Sequence, residues 1–121
     1  MEFVIDITGI CDRDGVEYAP LPKRLKEARK IAKISQRKLG VASGMDEFSA
    51  GPRVNQYETG KHTPDFLTLK RIADVLLVPT AYFYTENDML ADITRLFGQF
   101  DENQQVRIYK AMIKYWNKNK K

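Results

Sequence analysis

From Leu21 onward the apolar residues recur every three or four positions, and prolines, glycines and capping residues cut that pattern into short pieces. A chain patterned this way folds as a set of short helices. Leu21, Leu25, Ala28, Ile31 and Ala32 share one face of the first, with Lys23, Arg24, Lys26, Lys30 and Lys33 elsewhere. Pro22 suits its first turn. Ser35 is the natural N-cap of a second helix, "QRKLGVAS", that ends at Gly44. "MDEFSAGP" reads as a loop by its Gly, Pro, Asp and Ser content. A third helix is expected from about Pro52 to Thr59, stopped by a left-handed Gly60. Asp65 caps a fourth, with Phe66, Leu69, Ile72, Ala73 and Leu76 as its apolar face; after Pro79, Thr80 caps a short fifth that holds Tyr82 and Phe83.

Two further helices follow. Met89, Leu90, Ile93, Leu96, Phe97 and Phe100 form a wide stripe in "ENDMLADITRLFGQF". Asp101 caps the last, in which Val106, Tyr109, Met112, Ile113 and Trp116 share a side and the lysine-rich end is frayed. These stripes suit either a dimer surface or intramolecular core. Before Leu21 the chain reads as extended: "EFVIDI", a "CDRDG" turn and "VEY" form a small hairpin or a mobile arm.

With 121 residues and an apolar fraction of 43%, the chain is one domain with an appended segment. No apolar run approaches ~18 residues, so no membrane span is expected. The acidic start is no secretory signal. One cysteine, Cys11, forms no internal disulfide and points to the cytoplasm. The net charge of +4 is unevenly spread. Residues 1–22 carry one basic and five acidic side chains, residues 23–71 twelve and five, and residues 72–121 seven and six. The middle of the chain is where a polyanion would be drawn.

Two short helices in succession, the second polar where it is exposed, are the pattern of a helix-turn-helix. Residues 21–84 resemble the lambda-repressor-like (Cro/C1, XRE-type) family of transcriptional regulators. The resemblance rests on "RLKEARK", "SQRKLG" and "VNQYETGKHTPDFLTLKRIADVLLVPTAYFY" in that order and spacing. It implies an all-α protein with a five-helix helix-turn-helix domain at 21–84; outside the resemblance, the residue pattern adds two extra C-terminal helices at 85–121, read as a dimerisation segment, and an extended or hairpin segment at 1–20. Val54 and Tyr57, three apart, can anchor the third helix and leave Arg53, Asn55 and Gln56 to face the bases. Similar domains set Gln36 and the loop of Thr59, Gly60, Lys61 and His62 on the DNA backbone. Arg37 and Lys38 add affinity without sequence information. Arg29 and Glu58 match positions that form an ion pair between the first helix and the reading helix. The chain departs from the family in "GMDEFSAGPRV", about four residues longer than usual, and in Gly51 and Pro52, which replace polar base-contacting side chains. Neither can donate from a side chain, which leaves the start of the helix to read shape or the thymine methyl.

The function so implied is sequence-specific binding of double-stranded DNA, most simply by a homodimeric repressor on a near-palindromic operator. An antitoxin-like or adaptor role, with the C-terminal helices holding a protein partner, is the alternative. No cofactor or metal site is expected. The chain lacks a Walker-type phosphate loop and "HExxH", and Cys11 has only His62 as a base, so an enzyme is not expected.

Overall fold

The computed structural model describes residues 20–120, within which every element is helical. They are α1 (Leu21–Ile31), α2 (Gln36–Ala42), α3 (Glu47–Thr59), α4 (Phe66–Leu76), a 3-10 helix (Thr80–Tyr84), α5 (Asp88–Gln99) and α6 (Glu102–Asn119). The expected N-terminal hairpin, with Cys11, lies outside the described residues.

Local chemistry starts these helices. Ser35, Asp46, Asp65 and Asn87 each accept a backbone N–H two or three residues on. Asp101 and Gln104 form a reciprocal capping box at the head of α6. Thr80 is not a cap; it is the first residue of the 3-10 helix, which follows Pro79 without a side-chain cap.

The core is built by α1 through the 3-10 helix. Leu21, Leu25 and Ala28 meet Leu39, Ala50, Val54, Tyr57, Leu69, Ile72, Leu76, Tyr82 and Phe83, and the last two rings pack edge to face at 5.4 Å. Three expected core residues lie outside it. Ile31, 51% exposed, lines a cleft with Asp88, Met89 and Arg95. Phe66 is 61% exposed, and the buried residue at that end of α4 is Pro64. Ala32 is also exposed.

The third helix differs most from expectation. It begins at Glu47, so "MDEFSAGP" is mostly helix and the connection from α2 is the short turn Ser43–Asp46. The four additional residues amount to about one helical turn, so they lengthen the helix and leave the turn tight. Gly51–Pro52 is a strong local start signal, yet two features hold the helix together upstream of it. Asp46 caps the first turn, and Ala50 is fully buried against α2. There a Cβ on Gly40 would stand 2.6 Å from the Ala50 Cβ and 2.9 Å from its carbonyl oxygen, so only glycine permits the α2–α3 crossing. Pro52 removes one hydrogen bond to the Phe48 carbonyl, a cost the packing of Ala50 and Val54 offsets.

Arg24 sits on the buried face of α1, three residues after Leu21 and four before Ala28, with its side chain 2% exposed. Its Nε donates to the Thr85 carbonyl at 2.9 Å. Nη2 donates to the Glu86 carbonyl at 3.0 Å and to Asp88 at 2.9 Å, and Nη1 to Glu27 at 3.3 Å. The guanidinium lies 5.9 Å from the centre of the Tyr82 ring, whose hydroxyl donates to Glu27 at 2.7 Å. Burial and the Glu27 carboxylate push the Tyr82 hydroxyl well above its ordinary range, and Lys23 with Arg24 holds Asp88 below the usual carboxylate range. The arginine thereby ties the lead-in of α5 to α1.

Beyond that tie the helices behave differently. In α5 only Ala91 is buried, although Gly98 lies against Pro79, and α6 buries nothing. Met89, Leu90, Ile93, Leu96, Phe100, Val106, Tyr109, Met112, Ile113 and Trp116 are all exposed. Among the described residues no helix is long and apolar enough to cross a membrane.

Candidate nucleic-acid interface

The site is built on α3 and the start of α2. Ala50, Val54 and Tyr57 fix one side of α3 in the core. The opposite strip carries Phe48, Pro52, Asn55 and Thr59, which span an arc of about 60° at 3.6 residues per turn. All four are exposed. Gln56 borders this strip on one side, and Arg53 lies further round on that side, about 40° from Tyr57. Arg53 is exposed and donates through Nη2 to the Tyr57 hydroxyl at 3.1 Å, so its guanidinium lies along its own helix; Gln56 is half-buried.

Glu58 is the hub of the polar contacts. Its carboxylate, 3% exposed, accepts from Arg29 Nε at 2.5 Å and Nη2 at 3.2 Å, a two-point grip across α1 and α3. Arg29 Nη1 also donates to the Ile34 carbonyl at 3.0 Å, which fixes the α1–α2 connection to the same group. Gln36 Nε2 completes the chain, donating to Glu58 Oε1 and to Asn55 Oδ1, each at 3.1 Å. The first residue of α2 and an exposed position of α3 are therefore one hydrogen-bonded unit. Spacing alone could not reveal that link, because it depends on how the two helices cross.

The remaining candidates surround this unit. Arg37 is exposed and pairs with Glu47, and Lys38 is exposed on the same helix. After α3, Gly60 takes φ +81° and turns the chain back. The His62 N–H and the Thr59 hydroxyl both donate to the Gln56 carbonyl, at 3.2 and 3.3 Å. This holds the loop against the end of α3 with Lys61 and His62 exposed. Hydrogen-bond donors and cations on an exposed helix face, with Glu47 and Glu58 both paired, suit a polyanion with readable edges. Among the described residues no three of His, Cys, Asp and Glu gather as metal ligands.

Comparison with known proteins places the fold that carries these residues in a family. Residues 25–83 match the sequence profile of a helix-turn-helix family. No curated protein matches the chain in sequence. The chain is similar to the crystal structure of transcriptional regulator BswR, at 38% identity and a TM-score of 0.74, over 80% of this chain and 96% of that one. The long third helix and the C-terminal helices thus accompany a domain of known kind: the chain belongs to the XRE-type helix-turn-helix family of DNA-binding transcriptional regulators.

Proposed function

We propose that the protein is a cytoplasmic transcriptional repressor that binds a near-palindromic operator as a homodimer. The observation that carries the reading is the braced face of α3. Arg29, Glu58 and Gln36 hold the helix at a set angle while Asn55 stands exposed beside Gln36. Arg53, Asn55 and Gln56 read base edges in this proposal. Gln36, Arg37, Lys38, Thr59, Lys61 and His62 bind the phosphates. Residues 21–84 serve as the DNA-binding domain, and residues 85–121 pair the copies through the exposed stripes of α5 and α6. Pairing sets two reading helices about 34 Å apart, as a palindrome requires. The reading contains no enzymatic step.

Binding-site selection with the pure protein, followed by titration of single-base operator variants at two salt concentrations, tests it. Gln56→Ala should relax preference at one base pair by roughly 1–3 kcal/mol and so reorder the variants. Lys61→Ala should weaken every variant alike and lower the salt slope by about one. An unchanged ranking with Gln56→Ala would remove α3 as the reader. The exposed apolar stripes also support a second reading, an antitoxin-like or adaptor protein that holds a partner on its C-terminal helices. Recovery of a stoichiometric partner whose binding needs Met112 and Trp116, with no salt-sensitive operator binding by the pure protein, would favour it.

A further inference from the structure

The exposed strip of α3 begins with an aromatic ring that nothing in the fold covers. Phe48 is 90% exposed, the highest value of any large apolar side chain among the described residues. The backbone beneath it is fixed: Asp46 accepts from its amide at 3.0 Å, and Ala50, two residues on, is fully buried against Gly40. The ring is thus held out in water by an ordered helical turn. It follows the same line as Pro52, Asn55 and Thr59 along α3. Its neighbour Glu47 is paired with Arg37, and Asp46 is engaged in capping the turn beneath the ring.

We propose that Phe48 is a base-reading residue that packs its ring on the C5-methyl group of a thymine in the major groove. The inference rests on the reading of α3 given above and extends it by a residue. Recognition helices meet base edges with their N-terminal residues, and the extra turn of α3 makes Phe48 one of those residues. The ring offers no donor, and neither does Pro52 one turn further on. The first half of the strip makes apolar contacts only, whereas Asn55 and Thr59 in the second half make polar ones. On the major-groove edges of the four base pairs, the one apolar group is the thymine methyl. A lone ring in line with the exposed polar side chains of Asn55 and Thr59 favours DNA as the occupant over an apolar protein surface.

The experiment replaces each thymine of the selected operator by deoxyuridine, which deletes only the methyl group, and measures binding by wild-type protein, Phe48→Ala and Phe48→Leu. Wild-type protein should lose about fourfold in affinity at one thymine per half-site, the expected effect of one buried methyl. Phe48→Ala should bind the natural operator with a similar loss and no longer distinguish thymine from uracil there. Phe48→Leu should keep part of the difference. Circular dichroism of this surface variant should match wild type. If Phe48→Ala keeps the thymine preference, the inference is overturned, and a simultaneous change in oligomeric state by light scattering would assign the ring to a protein contact. Wild-type protein that selects no sequence would overturn the DNA-reading function as well. Clear operator selection with no methyl dependent on Phe48 overturns this inference alone.

Discussion

Residues 21–84 and residues 85–120 are both helical and both rich in apolar side chains, yet they use them in opposite ways. In the first region the apolar faces of α1 to α4 and the 3-10 helix meet one another, and every buried apolar residue of the described chain except Ala91 lies between Leu21 and Phe83. In the second, stripes of comparable width on α5 and α6 remain exposed. An amphipathic stripe reports that a helix has a partner, not where that partner is. The first region finds its partners within the chain and folds on them; the second leaves its stripes exposed, which the proposed pairing of copies would cover. Arg24 stands at the boundary, where a buried cation rather than apolar packing fastens the lead-in of α5 to α1.

The largest effect should come from attacking the packed region at its closest approach. Gly40→Val sets a branched side chain where even a Cβ would collide with the Ala50 Cβ and carbonyl. Overpacking of this kind costs about 3 kcal/mol, enough to lower the thermal midpoint of a domain this size by more than about 10 °C. A thermal melt checks it. A loss of only a few tenths of a kcal/mol would show that α2 and α3 can slide apart, and the contrast between a rigid domain and its appendage would weaken.

The boundary is the next target. Arg24→Ala removes the donor from the Thr85 and Glu86 carbonyls and leaves a hole beside Tyr82. The expected cost is about 2–3 kcal/mol, below that of breaking a wholly buried ion pair, because Glu27 and Asp88 retain access to water. Hydrogen exchange should then show faster opening of α5 than of α4. Equal exchange in the two helices would mean that α5 is held by Ala91 and Gly98 instead, and the boundary would move toward Pro79.

The same contrast explains what the sequence discloses. Ser35, Asp65 and Asp101 are readable as caps because a cap is a contact over two or three residues. Val54 and Tyr57 are readable as anchors because their spacing matches the helix period. The start of α3 is misread because Gly51–Pro52 is a louder local signal than Asp46, and the contact that overrides it joins Ala50 to Gly40 from another helix. Arg24 is misread because its charge outweighs its position, although Leu21, Leu25 and Ala28 mark that position as inward. Ile31 and Phe66 are misread because a period continues past the edge of the neighbour it packs on. In the candidate interface the residue types were legible, but the bonds from Gln36 to Asn55 and Glu58 depend on a crossing angle that spacing does not encode.

The smallest effect on folding should come from removing α6 altogether, and it tests the contrast most directly. A chain ended after Phe100 keeps every buried residue and the full set of Arg24 contacts. Among contacts with the rest of the fold it loses the Gln105 side-chain bond to the Phe97 carbonyl, at the half-buried junction of α5 and α6. In dilute solution its stability should fall within about 0.5 kcal/mol of the full chain, as for surface changes away from the core. Association should respond quite differently. If α6 pairs two copies, the full chain gains stability by mass action, so its thermal midpoint rises with protein concentration while that of the shortened chain does not. Sedimentation at matched concentrations should show a dimer for the full chain and a monomer for the shortened one. A shortened chain that still dimerises would place the interface on α5, where Leu90, Ile93 and Leu96 stay exposed. A shortened chain that unfolds would show that α6 belongs to the domain after all, and the division between inward and outward apolar faces would be wrong at its outermost helix.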